Sequence, residues 1–214
     1  MAGRVLSGAL AGRAREAERR WRRRRDDLLY PEATSGRDQW QRIPLNRAVD
    51  AHIGSLGPGR LSAVEISGDG QGHHPWKAFT SLNYPQFDLC APLRGQGPFD
   101  VVICEQVIEH VEDPWTAAAN LRGLCASGGH VIVSTPFLIR VHELWGMKDY
   151  WRFTPRGLRR LLEGAELTVD HVGAWGNRAC VRGNLDRWPA YRAWHSLRNE
   201  PDLPVQVWAF ARRA

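Results

Sequence analysis

The sequence predicts an α/β fold, a doubly wound and mostly parallel sheet, and three observations carry that prediction. From residue 57 onward, short β-branched runs alternate with segments of helical periodicity, the pattern of strands joined by crossover helices. The first of those runs ends in a loop with glycine at alternate positions, Gly68-Asp69-Gly70-Gln71-Gly72. The chain's 214 residues, 43% of them apolar, suit a single buried core.

Taken in order, residues 8–29 (GALAGRAREAERRWRRRRDDLL) hold good helix formers, no Pro, and acid-to-Arg neighbours such as Glu16–Arg20, which predicts a basic helix. Residues 31–40 read as a linker and 41–56 as a short helix running into a Gly-Pro-Gly turn. The strand candidates are Leu61–Ile66, Thr80–Tyr84, Asp100–Cys104, His130–Ser134, Leu167–Val172 and Val205–Ala211. Trp115–Cys125 is a helix candidate between Asp113-Pro114 and a glycine pair. Pro155–Gly164 is another, with Thr154 as N-cap and Pro155 at the first helical position.

Charge divides the chain. The net formal charge is +6, yet residues 1–30 hold nine Arg against Glu16, Glu18, Asp26 and Asp27, so nearly all the excess sits in one terminal arm. A body-wide nucleic-acid surface is therefore not expected. There is neither a run of about 18 apolar residues nor the apolar block of a secretory signal, so no membrane span is expected and the cytoplasm is the simplest compartment. Cys90, Cys104, Cys125 and Cys180 lack C-x-x-C spacing and read as reduced thiols. Among the eight histidines only His73 and His74 adjoin, and no metal is expected.

Ala63-Val64-Glu65-Ile66 followed by the glycine loop is a buried strand whose carboxyl end allows close backbone approach to a ligand. Asp88 lies twenty residues beyond Gly68, the spacing at which an acid meets a ribose in dinucleotide folds. Then come FDVVICEQVIEHVEDP, SGGHVIVSTPF and DYWRFTPRGLRRLLEGAEL. Together these segments resemble the class I S-adenosylmethionine (SAM)-dependent methyltransferase superfamily, in its small-molecule branch. The resemblance covers residues 61–172 in order, and 205–211 resembles the closing antiparallel strand.

That resemblance implies a Rossmann-like sheet with an antiparallel last strand, and SAM as cofactor. It further implies methyl transfer to an O or N of a small molecule such as a natural product or sugar. The implied cofactor residues are Glu65 at the strand end, Gly68 and Gly70 in the loop, Asp88 and Leu89 beside the adenine, and Glu105 and Gln106 at the methionine end. For Glu65 and Asp88 the alternative is a local structural role, a loop cap and a turn. Family members usually carry a full helix after the glycine loop and a second strand ending in a ribose-binding acid. Here only His73–Phe79 separates loop from strand, and Ser81-Leu82-Asn83-Tyr84-Pro85 has no carboxylate. Either Asp88 turns to the ribose, or Asn83, Tyr84 and Trp76 take that place.

The acceptor is expected beneath the segment Phe137–Phe153, where aromatic walls mix with polar groups. Trp145, Tyr150, Trp151 and Arg152 are the substrate-binding candidates, and His142, whose imidazole titrates near neutrality, is the candidate base. Residues 1–40 are assigned to the arm and linker and 41–214 to the SAM-binding domain. Residues 175–203 form an insertion that serves as a second wall or a contact with a second copy, so a homo-oligomer stays open. A second reading keeps the fold without methyl transfer, as an accessory or binding subunit or as an enzyme using the pocket for other chemistry.

Overall fold

In the computed structural model, residues 2–143 and 146–214 are described, with side chains of the first helix described from residue 14. The first helix, α1, covers Ala2–Leu29 and carries exposed i,i+4 ion pairs, Arg20–Glu16 and Arg22–Glu18. Helix α2 (Arg42–Leu56) precedes β1 (Ser62–Ile66), β2 (Ala78–Leu82) and β3 (Phe99–Glu105). Then follow α3 (Pro114–Leu124), β4 (Cys125–Pro136), α4 (Pro155–Gly164), β5 (Leu167–Trp175), α5 (Arg178–Gly183) and β6 (Gln206–Arg213). Among the described residues no helix is long and apolar enough to cross a membrane.

The six strands form one sheet in the order β2-β1-β3-β4-β6-β5. β1 pairs in parallel with β2 and β3, and β3 with β4, whereas β6 runs antiparallel to both β4 and β5. This is the doubly wound sheet with an antiparallel last strand that the sequence predicts. Alternation along each strand assigns its side chains to two faces. Val101 and Ile103 of β3 pack with Leu45, Val49 and Ile53 of α2, while Val102 and Cys104 pack with Leu121 of α3 and Leu158 and Leu162 of α4.

The helix caps follow their sequence signals. Asp113 accepts from the backbone N–H groups of Trp115 and Thr116, and Thr154 from that of Gly157. The short helix α5 was not anticipated; Asn177 caps it by accepting from Cys180 N at 2.8 Å.

Two strands differ from their sequence limits. β4 begins at Cys125, before the expected His130, because the chain can run close beside β3. A Cβ at Gly129 would lie 2.8 Å from the Asp100 carbonyl, so only glycine fits there. β2 lies two residues earlier than expected, since its register is set by β1, from Ser62 opposite Ala78 to Ile66 opposite Leu82.

Residues 30–40 lie along the stretch between α5 and β6. Isolated bridges join Glu32 to Pro189 and Gln39 to Ala190, and Trp40, 1% exposed, stacks on His195 at 4.0 Å between ring centres. His195 accepts from Arg192 N on Nδ1, so Nε2 carries the proton and donates to the Leu29 carbonyl at 2.7 Å.

Candidate active site

The chain leaves β1 for β2 on one side and returns to β3 on the other, so a crevice opens at the carboxyl ends of β1 and β3, where open α/β sheets hold ligands. Glu65 and Glu105 stand there side by side. Glu65 is buried, and its Oε2 accepts from Gln71 N at 2.8 Å. A Cβ at Gly68 would lie 2.8 Å from Glu65 Oε1, and one at Gly70 3.5 Å, so the loop folds directly over this carboxylate. Burial pushes the Glu65 pKa up and the charge of Glu105 adds to the rise, against the opposing pull of the Gln71 and Gly70 N–H groups.

Glu105 is clasped from two directions. Its Oε2 accepts from Arg42 Nη2 at 2.9 Å and its Oε1 from Gln71 Nε2 at 2.8 Å, with the carboxylate side chain 4% exposed. Two polar atoms of this clasp, Arg42 Nε and Gln71 Oε1, are buried without a hydrogen-bond partner. Gln106, at φ 56°, turns away: its amide donates to Ser134 Oγ and Gln206 Oε1.

Beside the crevice lies a cavity of about 230 Å³ whose lining includes Ser67, Tyr84, Asp88, Leu89, Val107 and His110. Asp88 Oδ1 accepts from Cys90 N at 2.8 Å, which closes a local turn, while Leu89 is buried. Of the three side chains considered for a ribose, Tyr84 lines this cavity. Trp76 Nε1 donates to the Gln71 carbonyl and Asn83 Nδ2 to Ser81 Oγ, so both brace the loop and strand instead.

The segment 137–153, the cover, contributes Gly146, Met147, Lys148 and Tyr150 to the lining of the same cavity. Trp145 lies outside the described residues. Tyr150 and Trp151 donate through their backbone N–H groups to the Glu109 carbonyl, and Trp151 Nε1 donates to the Val111 carbonyl at 2.9 Å, latching the cover to the turn after β3. Arg152 points instead to Asp149: its Nη2 donates to Asp149 Oδ2 at 2.6 Å, and its Nη1 contacts Oδ1.

Asp149 also accepts from His142 N at 2.7 Å, and its Oδ2 stands 3.1 Å from His142 Nδ1 without hydrogen-bond alignment. Burial lowers the His142 pKa, and Asp149 pulls the other way. The stretch between α5 and β6 packs here: Trp188 meets the His142 ring at 5.2 Å, and the Arg140 guanidinium lies over the Trp188 ring at 4.8 Å. Glu109, fully buried, has its pKa pushed up to about 8 by burial.

The structure thus brings Glu65, Gly68, Gly70 and Glu105 into one crevice and Asp88, Leu89 and Tyr150 to the neighbouring cavity. His142 and Arg152 meet at Asp149 beside it. Arg42 and Gln71 escaped the sequence reading because nothing local marks them: their partner lies 63 and 34 residues away. Asp149 offered a weak signal, an acid three residues before Arg152 in the cover.

Residues 50–172 match a family model described as a methyltransferase domain. The chain belongs to that methyltransferase family. Over 103 residues it is 30% identical to a ubiquinone biosynthesis O-methyltransferase of Pectobacterium carotovorum, covering 44% of this chain and 42% of that one. The methyltransferase chain therefore spans about half the length of the curated relatives it matches. Two solved structures share the fold. One is the cyclase SpnF, at 14% identity and TM-score 0.54, covering 86% of this chain and 85% of that one. The other is the 1,6-didemethyltoxoflavin-N1-methyltransferase of Burkholderia thailandensis, solved with S-adenosylhomocysteine, also at 14% and 0.54, covering 83% and 80%.

Proposed function

We propose that this methyltransferase domain binds SAM across the carboxyl ends of β1 and β3 and passes its methyl group to an O or N of a small acceptor beneath the 137–153 cover. The observation that carries the reading is the pair of unsatisfied atoms in the Glu105 clasp. Arg42 Nε is a buried donor and Gln71 Oε1 a buried acceptor, a set complementary to the carboxylate and ammonium of an amino-acid group. Asp88 and Tyr84 lie in the adjoining cavity, where adenosine would follow, with Asp88 accepting from the adenine amine or a ribose hydroxyl.

SAM supplies a methyl carbon already activated by its sulfonium. The protein's part is then to hold the acceptor near contact in a water-poor pocket, which the latched cover and the Trp188 wall serve. His142 is the group that makes a hydroxyl or amine nucleophilic, as base while its ring nitrogens are free of other ligands. The curated relatives are named for O-methylation, which favours a hydroxyl. That SpnF, with the same fold, is a cyclase favours the second reading, in which this pocket serves other chemistry.

Calorimetric titration with SAM and with S-adenosylhomocysteine tests the proposal. Saturable binding of both is expected, and heat from neither would leave the second reading in its place.

A further inference from the structure

Three side chains converge beyond the cofactor crevice, and two of them, Glu109 and His110, are held on one side only. Glu109 is 0% exposed; Thr135 Oγ1 donates to its Oε2 at 3.3 Å, and its Oε1 is buried without a partner. His110 Nδ1 lies 2.7 Å from the Lys148 carbonyl. A carbonyl only accepts, so Nδ1 carries the proton and Nε2, 3.8 Å from Glu109 Oε1, is left as a lone pair. The His142 ring meets that of His110 edge-on at 4.8 Å and 80°, with Asp149 beside its Nδ1. One candidate ligand atom from each of the three lies within 4.8 Å of the other two.

We propose that Glu109, His110 and His142 bind a divalent transition-metal cation at the acceptor end of the site. One carboxylate with two imidazoles suits Zn²⁺ and its neighbours, whereas Mg²⁺ and Ca²⁺ favour oxygen ligands. Ligating histidines are oriented by an oxygen behind the ring, and the Lys148 carbonyl holds His110 in that way, while Asp149 Oδ2 stands 3.1 Å from His142 Nδ1 without a hydrogen bond. Three protein ligands leave a coordination position open, and His110 lines the cavity, so that position faces the acceptor. An oxygen bound there loses its proton more readily, and His142 then serves as ligand rather than base. This last point rests on the acceptor lying beneath the cover; the cation site itself does not.

The test uses the tag-free full chain, stripped with chelator and dialysed against Zn²⁺, with bound metal counted by mass spectrometry and Co²⁺ as a spectroscopic probe. One equivalent is expected, with affinity at least tenfold weaker in Glu109→Gln and in His142→Ala and unchanged in His74→Ala. His142 belongs to the cover rather than the core, so its variant keeps the test decisive should Glu109→Gln fail to fold. Absence of a stoichiometric ion would overturn the proposal. So would an ion retained by both variants and lost in His74→Ala, which would belong to the surface cluster of Asp50, His73 and His74. The readout needs neither SAM nor acceptor, so its failure is distinct from failure of the methyl-transfer reading.

Discussion

Arg42 Nη2 sits 2.9 Å from Glu105 Oε2, tying the first turn of α2 to the end of β3. Removing one partner of a buried ion pair strands the other charge, at a cost of about 3–5 kcal/mol. Arg42→Ala is therefore expected to lower the urea midpoint by a matching amount, and adding Glu105→Gln should restore much of it. A single variant as stable as the parent would mean that Gln71 alone carries the Glu105 charge.

Gly68→Val puts a branched side chain where a Cβ alone already comes within 2.8 Å of Glu65 Oε1. The loop must lift or the carboxylate must swing. The expected outcome is loss of SAM binding with circular dichroism unchanged, and an unaltered affinity would remove this loop from the cofactor site.

Asp88→Ala removes a carboxylate acceptor from the cavity wall. A hydrogen bond to a charged group is typically worth about 1.5–3 kcal/mol, so SAM affinity should fall by on the order of tenfold to more than a hundredfold. If titration finds the parent's affinity, Asp88 serves only its turn with Cys90.

His142→Ala is expected to cut turnover by roughly a hundredfold or more while leaving SAM affinity alone. Steady-state rates on the true acceptor decide this, and full turnover in the variant would place acceptor activation elsewhere.

His52 tests acid sensitivity away from the site. It stacks on Phe210 at 3.9 Å and meets His130 edge-on at 6.1 Å, and burial lowers the pKa of both histidines below 6.5. A base with a depressed folded pKa contributes stability that is present above its unfolded value and lost as pH falls through the folded one. Thermal unfolding should therefore show the parent losing stability as pH drops below about 6.5. His52→Phe keeps the stack and should lose less, and parallel curves for the two proteins would contradict this account.

The sheet was legible because its signals are local. Apolar runs marked each strand, Asp113 and Thr154 capped their helices as residue type predicts, and Gly68 lies over Glu65 because the loop is short. The clasp of Arg42 and Gln71 on Glu105 was not legible, nor was the stacking of Trp40 on His195, since such pairings are decided by how distant segments pack. His110 shows another case: in the sequence it reads as the start of a helix, whereas the structure makes 108–110 a turn, and only the fold sets His110 beside His142.

The strap of residues 30–40 along the stretch before β6 bears on how the basic arm can be studied. Removing residues 1–40 would take away Trp40, the Leu29 carbonyl that His195 meets, and the Pro31 and Asp38 carbonyls that accept from Ala190 and Tyr191. Trp188, in the same stretch before β6, packs on His142, so such a truncation would disturb the surroundings of His142 and mimic a role for the arm in activity. A cut that keeps the last turn of α1, from about Asp26 onward, takes off most of the exposed arginines and leaves that packing in place, with Tyr30 still bonded to the Asp26 carbonyl.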